Sequence, residues 1–171
     1  TTLQTVPAPQ RYLRAPQAAR ERWRQRLAPW TAGKRIGIAW SGSPQQVNNR
    51  NRSLRLSHLL PLAALPGVQL FSLQKGDAGA ATDADLAQAG IVDLTGDWAD
   101  FTDSSAMIEQ LDLVITVDTS IAHLTGALGR PVWILLAPNA DWRWLLERED
   151  SPWYPSARLF RRGYGEPREA Q

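Results

Sequence analysis

Apolar residues concentrate in short runs at 35–40, 68–73, 91–94, 113–117 and 132–136, each bounded by polar or small residues. Runs of this length between turn signals read as strands. They are continuous rather than alternating, so both faces of each strand are expected to be covered, as in parallel sheets. Helical patterns lie between and before them. Residues 17–28 suit a polar helix with Trp23 and Leu27 on one face, stopped by Pro29. Residues 54–65 form an amphipathic stretch that Ser53 or Ser57 could cap and Pro66-Gly67 closes. Residues 77–89 are Ala-rich and end at Gly90, Asp103 could cap 104–110, and 120–128 runs into Gly129-Arg130-Pro131. Strand–helix alternation with short connections predicts an α/β domain with a mostly parallel, doubly wound, Rossmann-like sheet and right-handed crossovers.

Composition fits that reading. A chain of 171 residues with 43% apolar and 21% charged content suits one globular domain. Three prolines in the first 17 residues mark a lead-in. The expected division is a lead-in and helix at 1–33, the α/β domain at 34–162 and a tail at 163–171. The chain lacks cysteine, which excludes disulfides and thiolate metal sites. Its two histidines, His58 and His123, lack zinc spacing, so no metal is expected. Only two of the 19 basic residues are lysines. Arginine forks suit phosphates, although a GC-rich genome explains the same bias. No basic stripe points to nucleic acid, and no run approaches the length of a membrane span. The first residues show no signal-peptide pattern and no Met, so the chain is expected to be a piece of a longer, cytoplasmic protein.

In open α/β sheets ligands bind beyond the carboxyl ends of the strands. The groups following the five runs are Trp40-Ser41-Gly42-Ser43, Gln74-Lys75-Gly76, Thr95-Gly96-Asp97, Asp118-Thr119-Ser120 and Ala137-Pro138-Asn139, expected to converge on one edge of the sheet. The fourth group opens a helix, whose free N–H groups favour an anion. His123 follows on the same first turn. Plain helix capping by Asp118 or Thr119 is the competing reading. Lys75 at a strand end suits a phosphate or is simply a solvated lysine. Arg52 in the polar loop 48–53 suits a bidentate phosphate contact or is solvated. The Trp-rich segments 141–144 and 152–155 could stack on a base or sugar, or cover a sheet edge or interface. Neither a Walker pattern, a GxGxxG fingerprint nor a GxSxG elbow is present.

Taken in order, Arg35-Ile36-Gly37-Ile38-Ala39-Trp40-Ser41-Gly42, Asn51-Arg52-Ser53-Leu54, Ser72-Leu73-Gln74-Lys75-Gly76, the stretch from Leu111 through Asp118-Thr119-Ser120-Ile121-Ala122-His123-Leu124, Gly129-Arg130-Pro131-Val132-Trp133, Asp141-Trp142-Arg143-Trp144 and Ser151-Pro152-Trp153-Tyr154-Pro155 carry a family resemblance. From about Arg11 to Arg161 the chain resembles the C-terminal region of bacterial tetratricopeptide-repeat glycosyltransferase-like proteins. These are similar to ADP-heptose:lipopolysaccharide heptosyltransferases and, more distantly, to O-linked N-acetylglucosamine transferases. The resemblance implies one half of a GT-B architecture, the half that binds a nucleotide-diphosphate-sugar donor, with residues 34–162 as the donor-binding domain. It implies donor contacts from Ser41, Gly42, Arg52, Gln74, Lys75, Asp118, Thr119, Ser120 and His123. Thr119 and Ser120 would hold the diphosphate, Lys75 and Arg52 neutralise it, and His123 shape the sugar pocket. Ser120 stands where heptosyltransferases often carry Gly. No cofactor or metal is implied beyond the donor itself, and the general base is expected in the other half. Implied partners are that N-terminal half and tetratricopeptide repeats, and an apolar, Trp-bearing surface is expected to make the isolated chain self-associate. A degenerate domain kept as a binding scaffold and a GT-B-shaped sugar-nucleotide epimerase are the alternatives.

Overall fold

The central apolar strands bury both of their faces, and this fixes the architecture. A computed structural model of the chain describes residues 2, 5–76 and 81–163. Helix α1 (Gln17–Arg26) precedes strand β1 (Lys34–Ala39), helices α2 (Asn49–Arg52) and α3 (Leu60–Ala63), and strand β2 (Val68–Ser72). Then come α4 (Asp83–Gln88), β3 (Val92–Asp93), α5 (Phe101–Ile108), β4 (Leu113–Val117), α6 (Ser120–Ala127), β5 (Val132–Leu136) and β6 (Ala157–Arg161). The six strands form one parallel sheet in the order β3-β2-β1-β4-β5-β6, the doubly wound Rossmann order.

Two apolar layers sandwich the sheet. On one face Phe71, Val114 and Ile134 pack with Trp23 and Leu27, with Met107 and Ile108 of α5, and with Ala122 of α6. On the other, Ile36, Ile38, Leu70 and Ile115 pack with Leu56, Leu59, Leu86 and Ile91. Crossover direction reverses between the two halves of the sheet, so right-handed connections put α3 and α4 on one face and α5 and α6 on the other. The second layer therefore reaches β5 only through the half-buried Leu135. Trp133 is 39% exposed there, beside Phe160 with ring centroids 5.2 Å apart. Among the described residues no helix is long and apolar enough to cross a membrane.

Several elements differ from the sequence pattern. The stretch 54–65 is broken into a tight turn at Leu56–His58 and the four-residue α3, with neither Ser53 nor Ser57 capping it; Pro61 sits in the first turn of α3. Among the described residues the Ala-rich stretch yields α4, which Thr82 caps by accepting from Asp85 N–H. Residues 77–80 lie outside the described residues. The third apolar run is a strand only at Val92–Asp93. The loop 48–53 contains a helical turn, α2. Strand β6 was not legible because two arginines leave its short sequence, ARLFR, neither a continuous apolar run nor a strict alternation. Its outer edge is lined by the preceding segment: Leu159 N–H donates to the Glu149 carbonyl at 2.7 Å, and the Arg161 guanidinium reaches the Arg148 and Trp144 carbonyls.

Asp103 does not cap α5. Asp100 takes that position, accepting from Thr102 N–H at 2.6 Å. Asp103 is buried one turn in and accepts from the Trp23 indole and Ala99 N–H, both at 2.9 Å, and from Arg22. Burial pushes its carboxyl up, but these donors outweigh burial and hold it below the ordinary carboxylate range. Glu109, at the other end of α5, accepts from Ala15 N–H at 3.0 Å. The lead-in is held further on, where Tyr12 and Leu13 N–H groups both donate to the Ala127 carbonyl. Replacing Asp103 with Ala leaves a buried indole N–H unpaired, and urea unfolding is expected to show a loss of about 2–3 kcal/mol. Asp100→Ala, the loss of one cap, is expected to cost about 1 kcal/mol.

Candidate functional site

The strand order reverses between β1 and β4, and the connections leaving their carboxyl ends go to opposite faces. A crevice is expected at that point. Four side chains build its walls. Gln74 Oε1, just past β2, accepts from Trp40 N–H at 3.2 Å and Ser41 N–H at 2.9 Å, which fixes the chain leaving β1. Asn49 Oδ1 accepts from Gly42 N–H at 3.1 Å, from Arg52 Nε at 3.3 Å and from Ser53 Oγ at 3.2 Å, folding α2 back over that chain. A Cβ at Gly42 would lie 2.2 Å from Arg52 Nη2, so only glycine lets the guanidinium settle there. Arg52 Nη1 then reaches across the crevice to the Asp118 carbonyl at 2.5 Å. On the far side Lys75 Nζ donates to the Trp98 carbonyl at 2.6 Å.

Helix α6 begins at the floor. Thr119 occupies the cap position with extended backbone, but its side chain caps nothing. Its hydroxyl lies 3.2 Å from that of Thr116, which in turn donates to the Val117 carbonyl at 3.0 Å. The Thr119 proton is therefore directed to Thr116. What α6 offers a ligand is its first main-chain N–H groups, the exposed Ser120 hydroxyl and the positive end of its dipole.

Ser41, Gly42, Arg52, Gln74, Lys75, Thr119 and Ser120 all line one cavity of about 720 Å³, a size suited to a small-molecule ligand. Asp118 and His123 do not line it. Neither do Thr95-Gly96-Asp97, which form a short helical turn with Thr95 buried and Gly96 and Asp97 exposed, nor Asn139, which bonds Asn48 instead. Sequence reasoning missed the remaining wall: Trp98, Asp100, the 64%-exposed Phe101, and Ser104. Their signal was the start of α5, obscured by taking Asp103 for its cap.

His123 faces a second cavity of about 690 Å³, with Tyr12, Trp142, Arg143, Trp153 and Tyr154. Its ring stacks on the buried Trp144 at 5.2 Å and 15°. Its Nδ1 lies 3.0 Å from the Tyr154 hydroxyl and its Nε2 3.9 Å from Asp118 Oδ1. Burial, and a hydrogen bond with Tyr12, hold the Tyr154 phenol well above its ordinary pKa. The phenol is therefore protonated, and its hydroxyl has both Tyr12 and His123 Nδ1 as partners. Burial lowers the His123 pKa, with Asp118 opposing and Arg143 adding to the shift. Among the described residues no cluster of three or more His, Asp or Glu side chains is placed to hold a metal ion.

The profile of glycosyltransferase family 9 (heptosyltransferase) matches residues 67–167, more than half of the chain. Protein FlbA of Caulobacter vibrioides is 29% identical over 167 residues, which cover 93% of this chain and 27% of that protein. The structure of Escherichia coli ADP-heptose LPS heptosyltransferase II superposes with a TM-score of 0.65 at 18% identity, over 95% of this chain and 49% of that one. This likeness is one of fold. The chain thus spans about a quarter of the first relative and half of the second.

The lowered pKa of His123 carries a signed consequence. From its ordinary value of 6.5 downward, the unfolded chain takes up the proton before the folded one does. Stability from the neutral imidazole is therefore present above that value and lost as pH falls through the folded pKa. Between about pH 7.5 and about pH 5.5 the Tm of the chain is expected to fall more than that of the His123→Asn variant. An equal fall in both would show that His123 is not the group responsible.

Proposed function

The chain belongs to glycosyltransferase family 9 (heptosyltransferase), and on that premise we propose that it is the donor-binding half of a two-domain glycosyltransferase acting on a nucleotide-diphosphate sugar. The observation that carries this reading is the joining of Arg52, Lys75 and the uncapped start of α6 in one cavity at the reversal of strand order. In the proposed reaction an acceptor hydroxyl oxygen bonds to the anomeric carbon, and the bond from that carbon to the diphosphate oxygen breaks. The electron pair leaves on the diphosphate. The hydroxyl proton passes to a base that we assign to the other half of the enzyme.

The residues of this chain then have distinct tasks. The α6 N–H groups and Ser120 would receive the diphosphate, with Arg52 and Lys75 supplying positive charge as it departs. Gln74, Ser41 and Gly42 would act by holding the β1 connection and Arg52 in place. Thr119 would buttress the helix start, and Asp118 would present its carbonyl to Arg52. His123 would sit at the sugar end, one turn along α6. On the same reading, residues 34–162 form the donor domain, and the complete protein adds an N-terminal half and tetratricopeptide repeats.

A second reading has an observation of its own. Arg52 and Lys75 already bond the carbonyls of Asp118 and Trp98, duties that a degenerate domain kept as a scaffold would also give them. Calorimetric titration with UDP, ADP, GDP and their sugars separates the two. The donor reading expects one nucleoside diphosphate to bind in the micromolar to low-millimolar range. Lys75→Ala, and Gly42→Ala through displacement of Arg52, are each expected to weaken that binding about tenfold. Binding of none of them by the complete protein favours the scaffold.

A further inference from the structure

Two unfavourable features meet at Trp144. Its indole is fully buried, yet among the described residues its Nε1 has no hydrogen-bond acceptor, and a buried donor left unpaired opposes folding. The residue that follows is strained: Leu145 has φ 57° and ψ −161°, a region that side chains other than glycine avoid. Glu147 also has a positive φ, 53°. Leu146 between them is 77% exposed, so burial of that side chain does not offset the strain. Backbone in such conformations persists only where its surroundings over-determine it.

Arg161 supplies that constraint. Along β6 it falls on the same face as the buried Ala157 and Leu159, and burial lowers its pKa. Its guanidinium donates to the Trp144 carbonyl, immediately before Leu145, and through Nε to the Arg148 carbonyl at 3.1 Å, immediately after Glu147. One planar fork thus clasps both ends of the strained turn, a task that suits its fixed geometry and not the single nitrogen of a lysine. The clasp sets Trp144 beneath His123, with ring centroids 5.2 Å apart and planes within 15°. Tyr154 holds the same imidazole from the side, its hydroxyl 3.0 Å from Nδ1, and is itself seated against Gly126, where a Cβ would come within 2.4 Å of its ring.

We propose that Arg161 is a positioning residue: by clasping the strained turn it holds the Trp144 indole as a rigid platform under His123 and so fixes that imidazole at the sugar end of the donor, a role that rests on the donor reading above. Arg161 lines neither cavity, so its effect on a ligand passes through Trp144 and His123. The strain at Leu145 and the unpaired indole then have one explanation. Both are consequences of placing a flat, immobile ring against a side chain of the site.

The test is proton NMR of the chain at about pH 8, where the His123 ring is neutral. Its two histidines are told apart by a His58→Gln variant. The His123 ring protons are expected upfield of their free-histidine positions, shielded by the stacked indole, and Arg161→Met is expected to lose most of that shift. Leu145→Gly removes the strain that the clasp opposes, and in the Arg161→Met background it is expected to restore the shift. A fork that merely secured the β6 edge would not be rescued in this way. Should Arg161→Met fail to fold, Arg161→Lys carries the same readings. An unchanged His123 shift, or no rescue by Leu145→Gly, overturns the proposal. Calorimetry of the complete protein addresses the reaction. Arg161→Met is expected to weaken nucleotide-sugar binding about tenfold, to change nucleoside-diphosphate binding by less than about twofold, and to have no further effect in a His123→Ala background. Equal loss of both ligands overturns the positioning role. Absence of any nucleotide binding, with the His123 shift still dependent on Arg161, removes the donor reading and leaves the clasp standing.

Discussion

Neighbouring strands β1 and β4 send their chains onward to opposite faces of the sheet, and the remaining features of the site follow from that divergence. No crossing helix can lie over the seam between them, so a crevice persists there whatever side chains surround it. Water or a ligand must satisfy whatever polar groups point into it. The chain answers with one residue that spans the gap, Arg52, whose guanidinium rests on Gly42 from one side and bonds the Asp118 carbonyl on the other. The absence of a single Cβ is what permits this. The same seam sets the placement of α6, whose first turn is, among the described elements, the only one to face both cavities.

A second constraint holds the back of the site. Helix α5 supplies Asp103 and Glu109, which fasten α1 and the segment before it to the main apolar layer. The start of the same helix furnishes Phe101 and Ser104 to the cavity wall. Burial of Trp23 and Leu27 is thus linked, through one short helix, to the geometry of the ligand cavity. The carboxylate at the junction is stabilised by three donors despite its burial, so the link is ionic as well as apolar.

Much of this was legible in the residues. Strands β1, β2, β4 and β5 fall where mainly apolar runs predict them, because burial on two faces leaves few polar positions in β1, β2 and β4, and β5 is open only at Trp133. The boundaries of α1 and α6 were legible from Trp23 and Leu27 and from Gly129-Arg130-Pro131. What failed was local competition. Asp100 and Asp103 both suit a helix cap, and only the tertiary contact with Trp23 decides between them. The 54–65 stretch has the amphipathic period of a helix, yet the structure breaks it in two. Strand β6 borrows its order from β5 and from the segment along its edge, neither of which its own sequence announces. In the site, the groups at strand ends were legible because topology gathers them. The direction in which His123 points was not, since it depends on Tyr154, distant in sequence.

The segment that lines β6 has a further consequence. A parallel sheet exposes unpaired N–H and C=O groups at both margins, and these are templates for another chain to add a strand. At one margin Leu159 N–H is already taken by Glu149, and Arg148, Glu149 and Asp150 lay charge along the strand. At the other margin β3 offers only two residues. Both ends of the sheet are therefore poor seeds for strand addition, and this architecture resists amyloid-like growth at its edges even though the face bearing Trp133 is open.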